Sequence, residues 1–402
     1  MSVSDTEATD PAIRRTSRKE LERRWNLVRA RLQEEKLEAV IVFASEDYLG
    51  ADVRWLTDRP ATFGYHCAII FPADGLMTLV EHGNLGGKRH SNGEERDYPG
   101  LGEILTTAAF HSVSYTQRFE GEMLANAVRS RGYRRIGIAG RDAMPHGVVN
   151  SIESVPNLEV TDFTDFIEHA RSVKSAEEIE EIRATAAMQD AIFAKLLETV
   201  RPGMRDMDVT AMLVGEGRKR GSSQHVLLAG SAPSNEVPAL RGFYAQGRVM
   251  RRGDYLTVLI ENNGAGGLYT ELGRTVVLGK PCAERLDALA IACAAQDDSV
   301  KRYRAGASCA ELAAAHDEFR ALNGLPPERR LFAHGQGYAL VERPLLRADE
   351  SMTLAADMNI VTHPAFLRGS AFGFVCDNHI IHADRPAERI HRTEQRIFAV
   401  DC

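Results

Sequence analysis

No apolar run in this 402-residue chain approaches the ~18–20 residues that a helix needs to cross a bilayer, so no membrane span is expected. Basic charge is also in short supply: 49 Lys+Arg stand against 56 Asp+Glu, for a net −7. A nucleic-acid binder needs a basic face to neutralise phosphates, and this balance argues against one. The six cysteines (Cys67, Cys282, Cys293, Cys309, Cys376, Cys402) form no C-x-x-C pair. That excludes a zinc knuckle and a disulfide frame, and it points to reduced thiols in a cytoplasmic protein. The first residues, MSVSDTEATDPAIRR, are polar and acidic with no apolar h-region, so a secretory signal is not expected. What is present is ordinary globular composition, 44% hydrophobic and 26% charged, which excludes disorder and fibrous repeats as the main organisation.

The length has room for two to three domains of about 150 residues. Residues 1–16 read as a loose tail. From Ser17 the apolar residues Leu21, Trp25, Val28, Leu32 and Leu37 recur at helical steps. Short apolar runs at Ala39–Ala44, at Cys67–Val80 (with a turn at Ala73-Asp74-Gly75) and at 134–140 read as strands. Strands alternating with helices predict an α/β domain with a mixed sheet over 17–170. At 171 the character changes. Ser175 is a plausible N-cap with Glu177 and Glu178 in the first turn, and the helix stops before Arg201-Pro202-Gly203. Further helices are expected at about 206–220, 283–304 and 308–323. Strands are expected at 255–260 and 273–279, with short antiparallel strands from His334 onward. The 171–402 domain is therefore α+β.

Four places carry candidate chemistry. ENNGAGGLYTELGRT (261–275) reads as a glycine-rich connection between two strands and bears Glu261 and Glu271. It holds neither G-x-G-x-x-G nor a Walker pattern, so a phosphate cradle is not indicated. AHGQGY sets His334 among small residues that permit close approach. NIVTHPAF ends a strand at His363, and FVCDNHII puts Asp377 and His379 two apart, on one face of a strand. Each has a plain alternative: a flexible connection, a structural histidine, a satisfied polar contact at a strand edge. Together they supply two carboxylates and two or three imidazoles from one domain, a composition suited to a first-row metal.

RSVKSAEEIEEIR, the GRT strand, HGQGY and the final strand pair resemble the pita-bread family of creatinase, prolidase, aminopeptidase P and methionine aminopeptidase. The resemblance covers about 171–402, and residues 17–170 resemble the N-terminal domain of the creatinase/prolidase branch. It implies a C-terminal pita-bread domain with a curved antiparallel sheet, helices outside and the site on the concave face. It also implies a homodimer in which the partner's N-terminal domain lines the pocket. The peptidase members hold two metal ions on two aspartates, one histidine and two glutamates. Carried over, the second aspartate falls on Glu271, and the first on Ile260 or, with a one-residue shift, on Glu261. The histidine falls on His334, the glutamate before proline on His363 and the last glutamate on Asp377. The implied metal set is Glu271, His334, His363 and Asp377 around one divalent transition ion (Fe, Mn, Zn or Co). A metal-free pocket, as in creatinase, is the alternative. Creatinase itself departs, with an alanine where Glu271 stands and its catalytic glutamate at Gly273. The second histidine of the peptidases falls on Val341, and their upstream histidine is absent from NEVPALRGFYAQGR.

The catalytic candidates are accordingly Asp377, His379 and His334, with His379 a general base or a group that orients Asp377. Arg343 offers a fork of donors for a substrate carboxylate, against a plain ion pair with Glu342 or Asp349. Arg54 and Trp55 lie where family N-terminal domains reach a partner's pocket, against a buried tryptophan staple. Tyr338 is a further hydrogen-bonding candidate. The expected activity is hydrolysis of a C–N bond in a small amide, amidine or amino-acid derivative, by an enzyme that is not a standard dinuclear peptidase. The alternatives are a lyase resembling those that cleave dimethylsulfoniopropionate, and an inactive Xaa-Pro dipeptidase-like protein that binds a ligand.

Overall fold

A computed structural model describes residues 14–44, 51–59, 65–110 and 112–401. The chain divides into two compact units, Arg15–Arg171 and the stretch from Ser172 onward.

In the first unit, helix α1 (Arg18–Glu34) starts at Ser17, whose hydroxyl accepts the Glu20 N–H at 3.1 Å, and it buries Leu21, Trp25, Val28 and Leu32. Residues 14–16, the end of the expected tail, fall among the described residues. Thr16 donates to Asp58 at 2.9 Å and Arg15 to Asp97 at 2.9 Å, while residues 1–13 lie outside the described residues. Seven strands follow: β1 (Ala39–Ala44), β2 (Cys67–Pro72), β3 (Met77–His82), β4 (Gly87–His90), β5 (Leu101–Thr107), β6 (Arg135–Ile138) and β7 (Glu159–Asp162). They form one mixed sheet in the order β4-β5-β3-β2-β1-β6-β7. Strand β1 is buried at every position, as a central strand covered on both faces must be. Helices α2 (Ala51–Thr57), α3 (Arg118–Arg131), α4 (His146–Glu153) and α5 (Thr164–Ser172) complete the α/β unit.

The second unit opens on α6 (Ala176–Thr199). Ser175 and Glu178 close a reciprocal capping box at its N-terminus, satisfying two of the N–H groups that a helix start leaves free. Helix α7 (Asp206–Lys219), β8 (His225–Ala232), β9 (Tyr255–Asn263) and β10 (Tyr269–Val277) come next, then α8 (Ala283–Arg302) and α9 (Cys309–Leu322). The remainder is β11 (Ala333–Gly335), β12 (Glu342–Leu345), β13 (Asn359–Thr362), β14 (Ala365–Arg368), β15 (Ala371–Phe374), β16 (Asp377–Ile380), β17 (Glu388–Arg389) and β18 (Ile397–Ala399). These strands build a sheet β18-β10-β9-β8, a sheet β12-β11-β13-β16-β17 and the hairpin β14-β15. Pairing is antiparallel except between β10 and β18, and a bridge between Gly273 and Cys376 joins the two sheets. No helix among the described residues is long and apolar enough to cross a membrane.

Two facts of this architecture position the site. The segment expected as a glycine-rich connection is mostly strand: β9 runs through Asn263 and β10 begins at Tyr269, so Glu261 and Glu271 are directly paired across the ladder. Near the site, helices pack against one set of alternating strand positions. Ile260 and Leu272 pack with Ile192 and Phe193 of α6, and Ile360 and Ala333 pack with Tyr303 and Leu312. Because strand side chains alternate, their neighbours Glu261, Glu271, His334 and Val361 leave by the opposite face.

Candidate metal centre

On that opposite face, Glu271, His334 and His363 converge. One ligand atom from each lies within 4.8 Å of the others, and His334 Nε2 is 4.0 Å from Glu271 Oε2. Three strand positions bring them together: β10 carries Glu271, β11 carries His334, and His363 follows β13 directly. The imidazole rings of His334 and His363 stand 5.3 Å apart, edge to face. His334 Nδ1 donates to the Gly335 carbonyl at 2.8 Å, which places its proton there and leaves Nε2 with a bare lone pair facing Glu271.

Burial dominates the electrostatics. It holds His334 down at about 4 and His363 well below the usual imidazole value, with the His334 and Arg330 charges adding to the effect at His363. Both rings are therefore neutral, the form that ligates metals. Burial also lifts Glu271 to about 7, against a hydrogen bond from Cys376 and the charge of Arg330. Glu261, lifted well above the carboxylate range by burial and by Glu271, accepts from Gln336 Nε2 at 2.9 Å. A buried carboxylate beside two lone-pair-bearing imidazoles is stabilised by a divalent cation, so the donor set fits one. Two nitrogens and one oxygen suit Fe, Mn, Zn or Co better than Mg or Ca. The floor around the trio is apolar: Leu259, Val361, Phe374 and Cys376 form one buried cluster.

Of the four residues expected to hold the ion, the structure brings together three. Asp377 pairs with Thr362 in the β13–β16 ladder and His379 with Ile360, which turns both to the helix-covered face. There Asp377 Oδ1 lies 2.6 Å from Arg274 Nη2, and Gln395 donates to Oδ2 at 2.8 Å. Burial pushes the Asp377 carboxyl up, but Arg274, His391 and these hydrogen bonds outweigh it, so its value falls below the ordinary one. His379 stands edge-on to Tyr303 at 6.4 Å, with burial lowering it to about 4. Asp377 and His379 do share a face, as their spacing implies, but it is not the face of His334.

The remaining candidates are dispersed. Arg343 is bound by Glu350, with Nη2 to Oε1 at 2.6 Å and Nε to Oε2 at 3.0 Å. Of the two acids expected beside it, Glu342 pairs with Lys174 at 2.6 Å and Asp349 with Arg347 at 2.9 Å. Tyr338 is buried in the loop after β11. Arg54 and Trp55 lie on α2 in the first unit. The Trp55 side chain is wholly buried, so it packs as core, and Arg54 places its charge beside the buried Asp58. The residues that sequence reading missed are Gln336, Asn378, Asn359 and Cys376, all on the site side. Period-two alternation through FVCDNHII was the available signal: if Asp377 faces one way, Cys376 and Asn378 face the other.

A family model described as Metallopeptidase family M24 matches residues 180–383, and one described as Creatinase/Prolidase N-terminal domain matches residues 24–173. Among solved structures, the X-Pro aminopeptidase from Thermotoga maritima is 18% identical, with 94% of this chain and 99% of that one covered, at a TM-score of 0.77. A prolidase from Thermococcus sibiricus gives 18%, 96%, 99% and 0.76, and the dipeptidase PepE from Mycobacterium ulcerans gives 20%, 97%, 100% and 0.74. At these identities the likeness shows a shared two-domain fold. No curated protein matches the chain.

Proposed function

This chain belongs to metallopeptidase family M24, and we propose that it hydrolyses a C–N bond in a small amide, amidine or amino-acid derivative around a single divalent transition-metal ion. The observation that carries the reading is the convergence of Glu271, His334 and His363, buried and within 4.8 Å of one another. Glu271, His334 and His363 would hold the cation, which would supply Lewis-acid chemistry by polarising the substrate's C=O or C=N bond through its heteroatom. The chain's own residues do the rest. The His334 Nδ1–H···O=C Gly335 bond fixes which nitrogen faces the site. Leu259, Val361 and Phe374 exclude water from the floor, which strengthens every charge interaction above it. Glu261 and Gln336 form the polar wall beside Glu271.

A small substrate is favoured over a standard peptidase reaction by the donor set. Dinuclear hydrolysis uses two ions roughly 3.5–4 Å apart, and Asp377, the position on which the family's last glutamate falls, is committed to Arg274. The homodimer and the cytoplasmic setting belong to the same reading, through the family resemblance and the unpaired cysteines.

The test is a turnover screen of amides, amidines, N-acyl amino acids and Xaa-Pro dipeptides, using protein stripped and reloaded with Fe, Mn, Zn or Co. Product mass spectrometry reads the chemistry. Products that gain the mass of water, lost on chelation and restored by one ion per chain, support the proposal. An elimination product, or undiminished turnover after chelation, overturns it.

A further inference from the structure

Glu261 presents a puzzle. It sits directly opposite Glu271 in the β9–β10 register, on the same face and also buried. Paired residues in such a ladder hold their Cβ atoms roughly 4.5–5.5 Å apart. Yet the convergent donor group contains Glu271 and omits Glu261. A chain of buried amides accounts for the difference, and its polarity is forced from one end.

The Glu271 backbone N–H donates to Asn378 Oδ1 at 2.7 Å, so the Asn378 amide must turn its NH₂ the other way. That NH₂ donates to Gln336 Oε1 at 2.9 Å and to Asn359 Oδ1 at 3.1 Å. With its oxygen engaged, Gln336 has only its NH₂ left to offer, and it donates to Glu261 Oε1 at 2.9 Å. The backbone pins Gln336 as well: its N–H donates to the Asn359 carbonyl at 3.1 Å, and its own carbonyl accepts from Asn359 Nδ2 at 3.0 Å. Gln336, Asn359 and Asn378 are at most 1% exposed, so water cannot replace any link. Flipping one amide would set oxygen against oxygen or leave a buried donor unpaired.

We propose that Gln336 is a positioning residue that holds the Glu261 carboxylate outside the ligand set, so that the centre takes one cation on Glu271, His334 and His363. This rests on the metal reading given above.

Cobalt(II) titration of the metal-stripped protein by calorimetry and visible absorption tests it. The wild type is expected to take one ion per chain. Glu261→Gln keeps the bond to Gln336 through its own oxygen, and should bind cobalt with the same stoichiometry and an affinity within about threefold. Glu271→Gln should lose binding. Gln336→Leu frees Glu261 to reach the ion, so cobalt should bind about tenfold more tightly or at a second equivalent, with an altered absorption band, an effect of the size that neighbours of metal ligands exert. The double variant Glu261→Gln/Gln336→Leu should return to wild-type behaviour. A structural role for Gln336 alone would not produce that reversal.

If Glu261→Gln weakens cobalt binding tenfold or more, Glu261 is a ligand and the proposal falls, whether or not Gln336→Leu folds. A wild type that takes up no cobalt overturns the metal reading and the one-ion statement together. In that event thermal unfolding of metal-free Glu261→Leu, Gln336→Leu and their double variant still judges the latch: non-additive losses support it, and additive losses remove it.

Discussion

Asp377 and Arg274 form a fully buried ion pair, Oδ1 to Nη2 at 2.6 Å, on the face of the sheet turned away from His334. Arg274 also donates to the carbonyls of Gly273, Cys376, Thr393 and Glu394, so its guanidinium is the junction between β10, β16 and the C-terminal segment. A buried arginine there needs a counter-charge, and Asp377 supplies it.

Removing one partner of such a pair leaves the other charged and unsolvated, which costs about 3–5 kcal/mol. Asp377→Ala should therefore lower the unfolding free energy by about that amount in denaturant titration, while the folded fraction still takes up cobalt. An Asp377→Ala chain of unchanged stability that has lost its cobalt would return Asp377 to the ligand set.

His334→Ala and Glu271→Gln should behave oppositely. Each removes a donor from the converging trio, so metal uptake disappears while the chain stays folded. Glu271→Gln also removes a carboxyl whose charged form burial disfavours, and with it a charge that lifts Glu261 across the β9–β10 pair. Its metal-free melting temperature should rise above that of the wild type. A fall would show that the Glu271 carboxylate stabilises the metal-free fold.

Acid should destabilise the metal-free protein. Burial holds His316, His334, His379 and His391 at about 4 and His363 well below its usual value. Between about pH 6.5 and 4 the unfolded chain binds protons at these five rings that the folded chain refuses, so this contribution is complete above 6.5 and is lost as pH falls. Glu271, at about 7, and Glu261, well above the carboxylate range, work the other way, because their folded forms take protons first. Five against two leaves a net loss, at about 1.4 kcal/mol per pH unit for each net proton. Urea midpoints should drop steeply from pH 7 to pH 5. His316→Phe keeps a ring on Phe332, against which His316 stacks at 3.7 Å, and should flatten the slope. Equal midpoints at both pH values would refute the assignment.

Gly335→Ala should damage the centre through the backbone. A Cβ at Gly335 would overlap the Arg343 carbonyl oxygen and come within 2.8 Å of its carbon and 2.9 Å of the Glu342 oxygen, all main-chain atoms of β12. Strands β11 and β12 would have to separate beside His334. A stability loss of about 1–3 kcal/mol is expected, together with weaker cobalt binding. Wild-type values for both would show that β12 can yield.

Much of this was legible in the chain. Ser175 with Glu178 announced α6, Arg201-Pro202-Gly203 its end, and the apolar runs at Ala39–Ala44 and Cys67–Val80 the first strands, because capping and burial patterns are local. The glycine-rich stretch misled. Gly264, Gly266 and Gly267 suggested a long flexible connection, but the flanking residues continue the ladder on both sides. Arg343 was equally opaque, since the carboxylate that engages it, Glu350, lies seven residues on and competes with two nearer acids.

The order of residues alone determined the two-unit organisation, the types of the elements named from it and three of the four donors that could meet a cation, since helix and strand periods and ligand chemistry are written in residue type and spacing. Which carboxylates stay apart from those donors was settled only in three dimensions. A strand reverses its side chain at every residue, so the partner strand decides the outcome: pairing with Thr362 sends Asp377 to Arg274, and pairing with Val361 brings Asn378 to the site. Glu261 shows the same limit, since its separation from the trio is enforced by amides drawn from two strands and a loop far apart in the chain.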